Sequence, residues 1–483
     1  MSTFAIIGGG ASGTLLAIQL LRHATRGARI VLIERWPPPG PGVAFGTRCP
    51  VHLLNVPARK MSLYPEDPDH FLRWVGTQRR TDGSAFKARP DEFLPRQLFG
   101  SYLVAELAAA ERGAAQSVQL ERIQAEAVDI EETPSGGRVI LADRRSIDAH
   151  AVVLALGTLP GEYPIGRPLI FYRGPRYVHV PWPMAFLENL NADDEVLLVG
   201  AGLTAIDIIA QLEYRGHRGV IHALSRRGLR PQAHRPGLPS YQPFLAGEMP
   251  PATARAAVRR LRLEIRRAAA MGIDWRAVID SIRPQTQGIW SQWSWAERAR
   301  FLRHARPFWE AHRHRIAPEI AATIDRLTAE QRLRFYAGRL ENLRDLPTAA
   351  EATFRLRQTG ERKVVQVAKV INCTGPRTDY SKYQHPLLVN LLARGLIGHD
   401  PLALGINALP NFEVLRYHGG PSGWLFTLGA PLKGMLWEST ALNEIRGQAK
   451  ALAERLAKSP ADSPEASKYS AAGVKAGERD LST

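Results

Sequence analysis

Cysteine is nearly missing from this chain of 483 residues, which carries two. Cys49 and Cys373 lie far apart, outside any CxxC or CxxxxC spacing, which excludes a disulfide framework and a redox dithiol. Lysine is scarce as well, supplying ten of the 63 basic residues, so the net charge of +17 rests on arginine. The arginines are dispersed, and their densest run, Arg255 to Arg315, sets fourteen Arg against five acidic residues. Nucleic-acid binders gather charge on one element; a solvated basic face or a funnel for an anionic ligand fits this dispersal better. No run of ~18 apolar residues occurs, so no transmembrane helix is expected. The start, Met1-Ser2-Thr3 leading into Phe4 to Ile7, shows no basic n-region, and a cytoplasmic protein is expected. No Ser/His/Asp triad or metal signature is written. His312 and His314 stand two apart on a predicted helix and so cannot share a face to chelate one metal.

What is present is a globular composition, 45% hydrophobic and 23% charged, long enough for two or three domains. Thr3 to Ile7 reads as a strand, Gly8-Gly9-Gly10-Ala11-Ser12-Gly13 as a turn, and Leu15 to Leu21 as a helix. A second apolar strand, Arg29 to Ile33, ends in Glu34 and Arg35. This is a complete dinucleotide fingerprint, GxGxxG between strand and helix with an acid ~20 residues on. Gly8 permits the tight turn, Gly10 lets the backbone approach a pyrophosphate, Gly13 allows helix to pack on strand, and Glu34 is placed to accept from a ribose diol.

A second fingerprint follows at Glu195 to Val199, Gly200-Ala201-Gly202-Leu203-Thr204-Ala205 and the helix Ile206 to Leu212, with Ala205 in the third glycine's place. The next strand, Gly219 to Leu224, ends in Ser225-Arg226-Arg227 where an NAD site places an acid. Arginine there can hold a 2′-phosphate, so NADPH is favoured and NADH is the alternative; the competing reading makes Arg226 and Arg227 surface charge. Two such motifs in one chain are expected where FAD receives hydride from a nicotinamide. Gly8, Gly10, Ser12, Gly13, Glu34 and Arg35 are assigned to FAD, and Gly200, Gly202, Thr204, Arg226 and Arg227 to NADPH. The strand exits Ala149 to Gly157 and Lys369 to Gly375 place Gly157 and Gly375 beside a bound dinucleotide.

The segment Pro231 to Leu346 reads as a helical insertion, centred on about residues 236–335, with helices at Ala252 to Met271, Asp274 to Ser281, Trp295 to Arg306 and Pro318 to Leu327. Its Trp275, Trp290, Trp293, Trp295 and Trp309 are expected to form its core. Arg313 and Arg315 are candidates for a substrate-anion clamp, against a packing or salt-bridge role. Near the end, Gly423 to Gly429 reads as a strand, and a helix at Leu436 to Leu456 is placed to aim its N-terminus at a flavin, with Gly429 at the turn. Residues 458–483 are expected to be a disordered tail.

The segments Gly40 to Gly46, His52 to Ala58 with Met61 and Ser62, Leu94 to Gly100, Gly200 to Asp207, Leu224 to Leu229, Asn372 to Pro376 and Trp437 to Ala441 together resemble bacterial FAD/NAD(P)-binding proteins. The likeness is to those labelled FAD-dependent urate hydroxylase-like, distant relatives of flavin-containing and N-hydroxylating monooxygenases. The resemblance implies FAD held by the first domain, the Gly40–Gly46 loop with Gly42 near the pyrophosphate, and Asn55, Val56 and Pro57 close to the flavin ring. One departure stands out: the FxGxxxH of flavin-containing monooxygenases is answered by Tyr172 to His179, with the histidine one position late.

The expected architecture is α/β, with two Rossmann-like domains: an FAD domain of residues 1–180 and 365–457, interrupted by an NAD(P)H domain of residues 181–364 that carries the helical insertion. The expected activity is that of a monooxygenase acting with O₂ on a small substrate, an anionic one suiting the charge, through a C4a-(hydro)peroxyflavin. The rivals are a flavin reductase that inserts no oxygen and a non-catalytic FAD-binding sensor or scaffold. Neither a general base nor an oligomeric state is written in the sequence.

Overall fold

Two parallel sheets organise the chain, each built on strands apolar enough to be covered on both faces. The structure is a computed structural model that describes residues 1–458 apart from 25–26, 37, 80–82, 167–169, 246 and 248. The first sheet runs Glu413–Leu415, Pro421–Thr427, Ala151–Leu154, Ser2–Ile7, Ala28–Glu34, Val118–Gln124. All its neighbours are parallel except the first two strands. Ser2–Ile7 thus lies between the strand that follows it and one that arrives much later, and that reversal opens a crevice at the strands' carboxyl ends. Helix Ala11–His23 buries Leu15, Leu16, Ile18 and Leu20 in the core it shares with the helices Arg96–Arg112 and Leu442–Ala457. The opposite face is covered by an antiparallel sheet of Ala127–Thr133, Gly136–Leu141 and Ser146–Ala149.

The second sheet runs Arg362–Val367, Ala350–Leu356, Leu333–Asp345, Ile221–Ser225, Val196–Val199, Lys369–Asn372, Tyr177–Val178. The last five strands are parallel to their neighbours and the first two form antiparallel hairpins. This moves the boundaries expected at 180 and 365. Lys369–Asn372 pairs with Val196–Val199 in the second sheet, and Tyr177–Val178 edges the same sheet. The chain therefore leaves the first sheet's body before Tyr177 and returns after Asn372, and the two crossings touch through an antiparallel bridge between Leu159 and Arg377.

The helical segment between Ile221–Ser225 and Leu333–Asp345 holds the helices Ala254–Ala270, Trp275–Ser281, Thr286–Gln292, Trp295–Arg300, Arg306–Arg313 and Pro318–Ala329. Thr253, Asp274 and Ser294 cap three of these with side-chain oxygens, as such residues do at helix starts. The helix expected over Trp295 to Arg306 is broken by a π-helical turn, Phe301–Ala305. Trp290, Trp293 and Phe301 form a core with Trp437 from the first sheet's body, and Trp290 Nε1 donates to the Gly434 carbonyl at 2.8 Å. Trp295 is 48% exposed and is no part of that core. The insertion is thus a bridge between the two bodies.

The carboxy-terminal helix begins at Leu442 rather than Leu436, after a 3₁₀ turn at Ala430–Leu432. The helix N-terminus expected next to Gly429 is therefore not there. The tail expected at 458–483 lies, beyond Lys458, outside the described residues.

Candidate functional site: two glycine cradles

At the first turn Gly8 adopts φ +106, and a Cβ on it would stand 2.3 Å from the Ala155 carbonyl oxygen, where Ala151–Leu154 ends. Only glycine fits such a conformation and approach. A Cβ on Gly13 would stand 1.9 Å from the Gly8 oxygen, so the helix packs directly on the turn. Glu34 Oε2 accepts from the Gly9 N–H at 2.7 Å and Oε1 from the Trp36 N–H at 2.8 Å, which fixes the carboxylate at the rim. Gly42, at φ +54, brings its loop against Gly10, and Gly40 N–H donates to the Gly9 oxygen at 2.7 Å. Gly429 faces Ser12, whose Oγ would be 2.7 Å from an added Cβ. Gly157, at φ +66, carries the chain out of the sheet, and its oxygen accepts from Tyr380 at 2.8 Å. Gly8, Gly10, Ser12, Gly13, Glu34, Gly42 and Gly429 thus meet at one carboxyl edge. Arg35 instead pairs with Glu126 at 3.2 Å on the surface.

The second turn repeats the relation. Gly200 adopts φ +124, and its Cβ would stand 2.1 Å from the Cys373 oxygen at the end of Lys369–Asn372. Gly375, at φ +88, leaves that strand, so the two glycine exits serve one sheet each. Ala205 is fully buried, Gly202 has open space where a Cβ would go, and Thr204 lies in the first turn of Leu203–Tyr214. Arg226 is exposed and has no partner among the described residues. Arg227 is engaged: it donates to the Arg303 oxygen at 3.0 Å and the His304 oxygen at 3.4 Å, and lies 5.3 Å from the Phe308 ring centre. Its charge holds the π turn to the second sheet.

Between the cradles lies the His52–Ala58 segment. Val56 packs on the first core, and the Asn55 carbonyl accepts from His234 Nε2 at 3.0 Å. Burial, with Arg315 nearby, pushes the His234 pKa down to about 4, so its imidazole is neutral at pH 7. The two clamp candidates are not free. Arg315, 3% exposed, pairs with Asp280, and Arg313 pairs with buried Glu438 at 3.0 Å, which also accepts from Trp309 Nε1 at 3.1 Å. A buried guanidinium needs such a partner, and each carboxylate comes from an element that the local sequence does not reveal. Cys49 and Cys373 are free and buried, and burial raises both thiol pKa values. Among the described residues no group of three or more His, Cys, Asp or Glu could hold a metal ion, and no helix is long and apolar enough to cross a membrane.

Asp207, Arg96, His234, Glu438 and Lys433 were not singled out from sequence. Arg96, Asp207 and Glu438 stand inside segments that carry the resemblance, but their partners come from the fold: Arg96 pairs with Asp207 and Glu438 with Arg313.

The fold is that of two-domain FAD- and NADP-binding flavoproteins. Residues 5–159 match a family model described as FAD-NAD(P)-binding. Comparison with curated protein sequences gives no match. Among solved structures the chain is similar to the ornithine N-hydroxylase of Kutzneria sp. 744, at 14% identity and TM-score 0.60 over 95% of this chain and 99% of that one. It is similar to the FAD-bound cadaverine monooxygenase of the desferrioxamine pathway from Erwinia amylovora, at 17% identity and TM-score 0.61 over 93% and 92%. It is also similar to a bacillithiol disulfide reductase from Bacillus cereus, at 14% identity and TM-score 0.52 over 94% and 98%. The expected likeness to FAD/NAD(P)-binding proteins and to N-hydroxylating monooxygenases holds, whereas the urate hydroxylase-like label does not: the similar structures are N-hydroxylating monooxygenases and a disulfide reductase.

Proposed function

We propose that the chain is an FAD-dependent, NADPH-consuming monooxygenase of a small substrate. The observation that carries this is the repetition of one cradle in two sheets, each a positive-φ glycine wedged against the exit of a neighbouring strand. Gly8, Gly10, Ser12 and Gly13 would hold the FAD pyrophosphate and Glu34 its ribose, with Asn55 and Val56 against the ring. Gly200, Gly202 and Thr204 would hold NADPH, with exposed Arg226 on the 2′-phosphate. Arg35 and Arg227 take surface and bridging roles instead. The chemistry that bound FAD supplies is acceptance of hydride from NADPH and activation of O₂. This chain's residues would orient the two nucleotides, and the helical segment, which packs on Trp437 and reaches the Asn55 carbonyl through His234, would shield the ring from water, strengthening the polar contacts there. His234, neutral at pH 7, serves as a hydrogen-bond donor at the Asn55 carbonyl.

The alternative without oxygen insertion is a reductase. Its disulfide form is disfavoured by the two buried cysteines, whose raised pKa values keep them thiols at neutral pH. The test is anaerobic mixing of the FAD-loaded protein with NADPH or NADH, followed by oxygen. Expected are flavin bleaching, faster with NADPH, and oxygen uptake that exceeds peroxide release once an accepted substrate is present. Peroxide equal to NADPH consumed with every substrate favours the reductase, and failure of both nucleotides to bleach the flavin sinks the proposal.

A further inference from the structure

Lys433 sits on the segment between the Gly429 turn and the carboxy-terminal helix, facing the helical insertion. Arg306 and Glu310 of helix Arg306–Arg313, His314 beyond it, and Glu438 of its own segment are the charged and titratable groups around it. The carboxylates here are already engaged. Glu310 takes Arg306 at 2.8 Å, and Glu438 takes Arg313 and Trp309. Elsewhere between the helical segment and the first sheet's body, Asp280 takes Arg315 and Glu444 takes Arg283 at 2.8 Å. None of these is left over for a substrate ammonium. The charge left over is the lysine: its Nζ lies 5.2 Å from the Trp437 ring centre and has no hydrogen-bond or ion-pair partner among the described residues.

A second observation points the same way. Nε of Arg315, a residue 3% exposed, and Nε of Arg313 are buried donors without acceptors. The wall therefore offers spare N–H groups and a spare positive charge; its carboxylates are spent, and the unpartnered acceptors beside it, Ser439 Oγ and Asn443 Oδ1, are neutral. Arg315 lies near His234, which bonds to Asn55, so this wall continues to the segment assigned to the flavin.

We infer that Lys433 recognises an oxyanion on the substrate, so that the cleft takes an acid-bearing small molecule and not a diamine; this rests on reading the cleft as the substrate site. Burial holds the Lys433 pKa down to about 8, and an anion beside the ammonium relieves that penalty.

The test uses the full-length FAD-loaded protein and reads the flavin difference spectrum during titration with succinate, glycerol 3-phosphate and 1,4-diaminobutane. Expected is saturable binding of an acid and none of the diamine. Lys433→Met should weaken acid binding about tenfold or more and Lys433→Arg by much less, as for a charge-assisted hydrogen bond. Affinity should fall as pH rises through about 8. Saturation by glycerol 3-phosphate alone assigns the head group to phosphate, and by succinate to carboxylate. FAD content and thermal melting of both variants control for folding. Diamine binding without acid binding overturns the inference, as does a Lys433→Met protein with native FAD content that binds acids like the parent. NADPH bleaching is read on the same sample. Bleaching with no acid bound overturns the lysine assignment alone; acid bound with no bleaching overturns the oxidoreductase reading alone.

Discussion

Arg96 and Asp207 meet as a fork, Nη1 to Oδ2 at 2.8 Å and Nη2 to Oδ1 at 2.9 Å, across 111 residues of sequence. Their side chains are 15% and 11% exposed. Arg96 Nε also donates to the Leu53 oxygen at 3.0 Å, and His52 Nε2 lies 3.1 Å from the Asp207 oxygen. Asp207 belongs to the helix that opens at the second glycine turn. The pair therefore fixes the Asn55 segment beside the first glycine turn against the helix that opens at the second.

Removing one partner leaves a mostly buried charge alone. Asp207→Ala or Arg96→Ala should cost about 3 kcal/mol of stability, read from the urea midpoint, and the rate of flavin bleaching by NADPH should fall as the cradles lose register. The double variant should cost less than the sum of the singles. Additive costs with an unchanged bleaching rate would show that the pair does not set the geometry.

The two wedged glycines should separate the two nucleotides. Gly8→Ala drives a Cβ into the Ala155 oxygen, and Gly200→Ala drives one into the Cys373 oxygen, each at a backbone conformation that alanine resists. Gly8→Ala should purify with little FAD. Gly200→Ala should keep FAD yet bleach at least tenfold more slowly with NADPH. Flavin content by absorbance and anaerobic stopped-flow decide it. Loss of FAD in both variants would mean that the turns do not serve separate ligands.

The cradles were legible because their chemistry is local: strand, glycine turn, helix and acid follow one another in the chain. The strand exits at Gly157 and Gly375 were legible too, but their owner was not. Only the pairing of Lys369–Asn372 with Val196–Val199 shows that the second exit serves the second sheet. Whether Arg313 and Arg315 clamp an anion or form salt bridges stays open in the sequence because their partners, Glu438 and Asp280, stand 125 and 35 residues away. The late start of the last helix at Leu442 was hidden by the apolar pattern of 430–441, which supports a 3₁₀ turn and packed loop as readily as a helix. Charge pairing across the fold has no period for a sequence reading to find.

Arg226 and Arg227 are neighbours with different work. Arg226, exposed and unpartnered among the described residues, should carry the 2′-phosphate preference. Arg226→Ala should raise KM for NADPH about tenfold and leave NADH nearly unchanged. Arg227→Ala frees the carbonyls of Arg303 and His304, so it should make the π turn easier to cleave in limited proteolysis and leave the NADPH/NADH ratio alone. The reverse assignment of effects would move the nucleotide contact to Arg227.

His234 ties acidity to stability. Its pKa is pushed from 6.5 down to about 4 by burial and by Arg315, so between those values the unfolded chain binds a proton that the folded one refuses. Stability contributed by this site is therefore fully present above pH 6.5 and declines as pH falls toward 4, by an amount on the order of 3 kcal/mol. His234→Gln keeps a donor for the Asn55 carbonyl but cannot titrate. The stability difference between the parent and this variant should hence be flat from pH 8 to 6.5 and shrink in favour of the variant from 6.5 to 4, measured by urea unfolding across that range. Parallel curves down to pH 4 would mean that His234 is protonated in the folded protein, and that the Asn55 carbonyl faces an imidazolium.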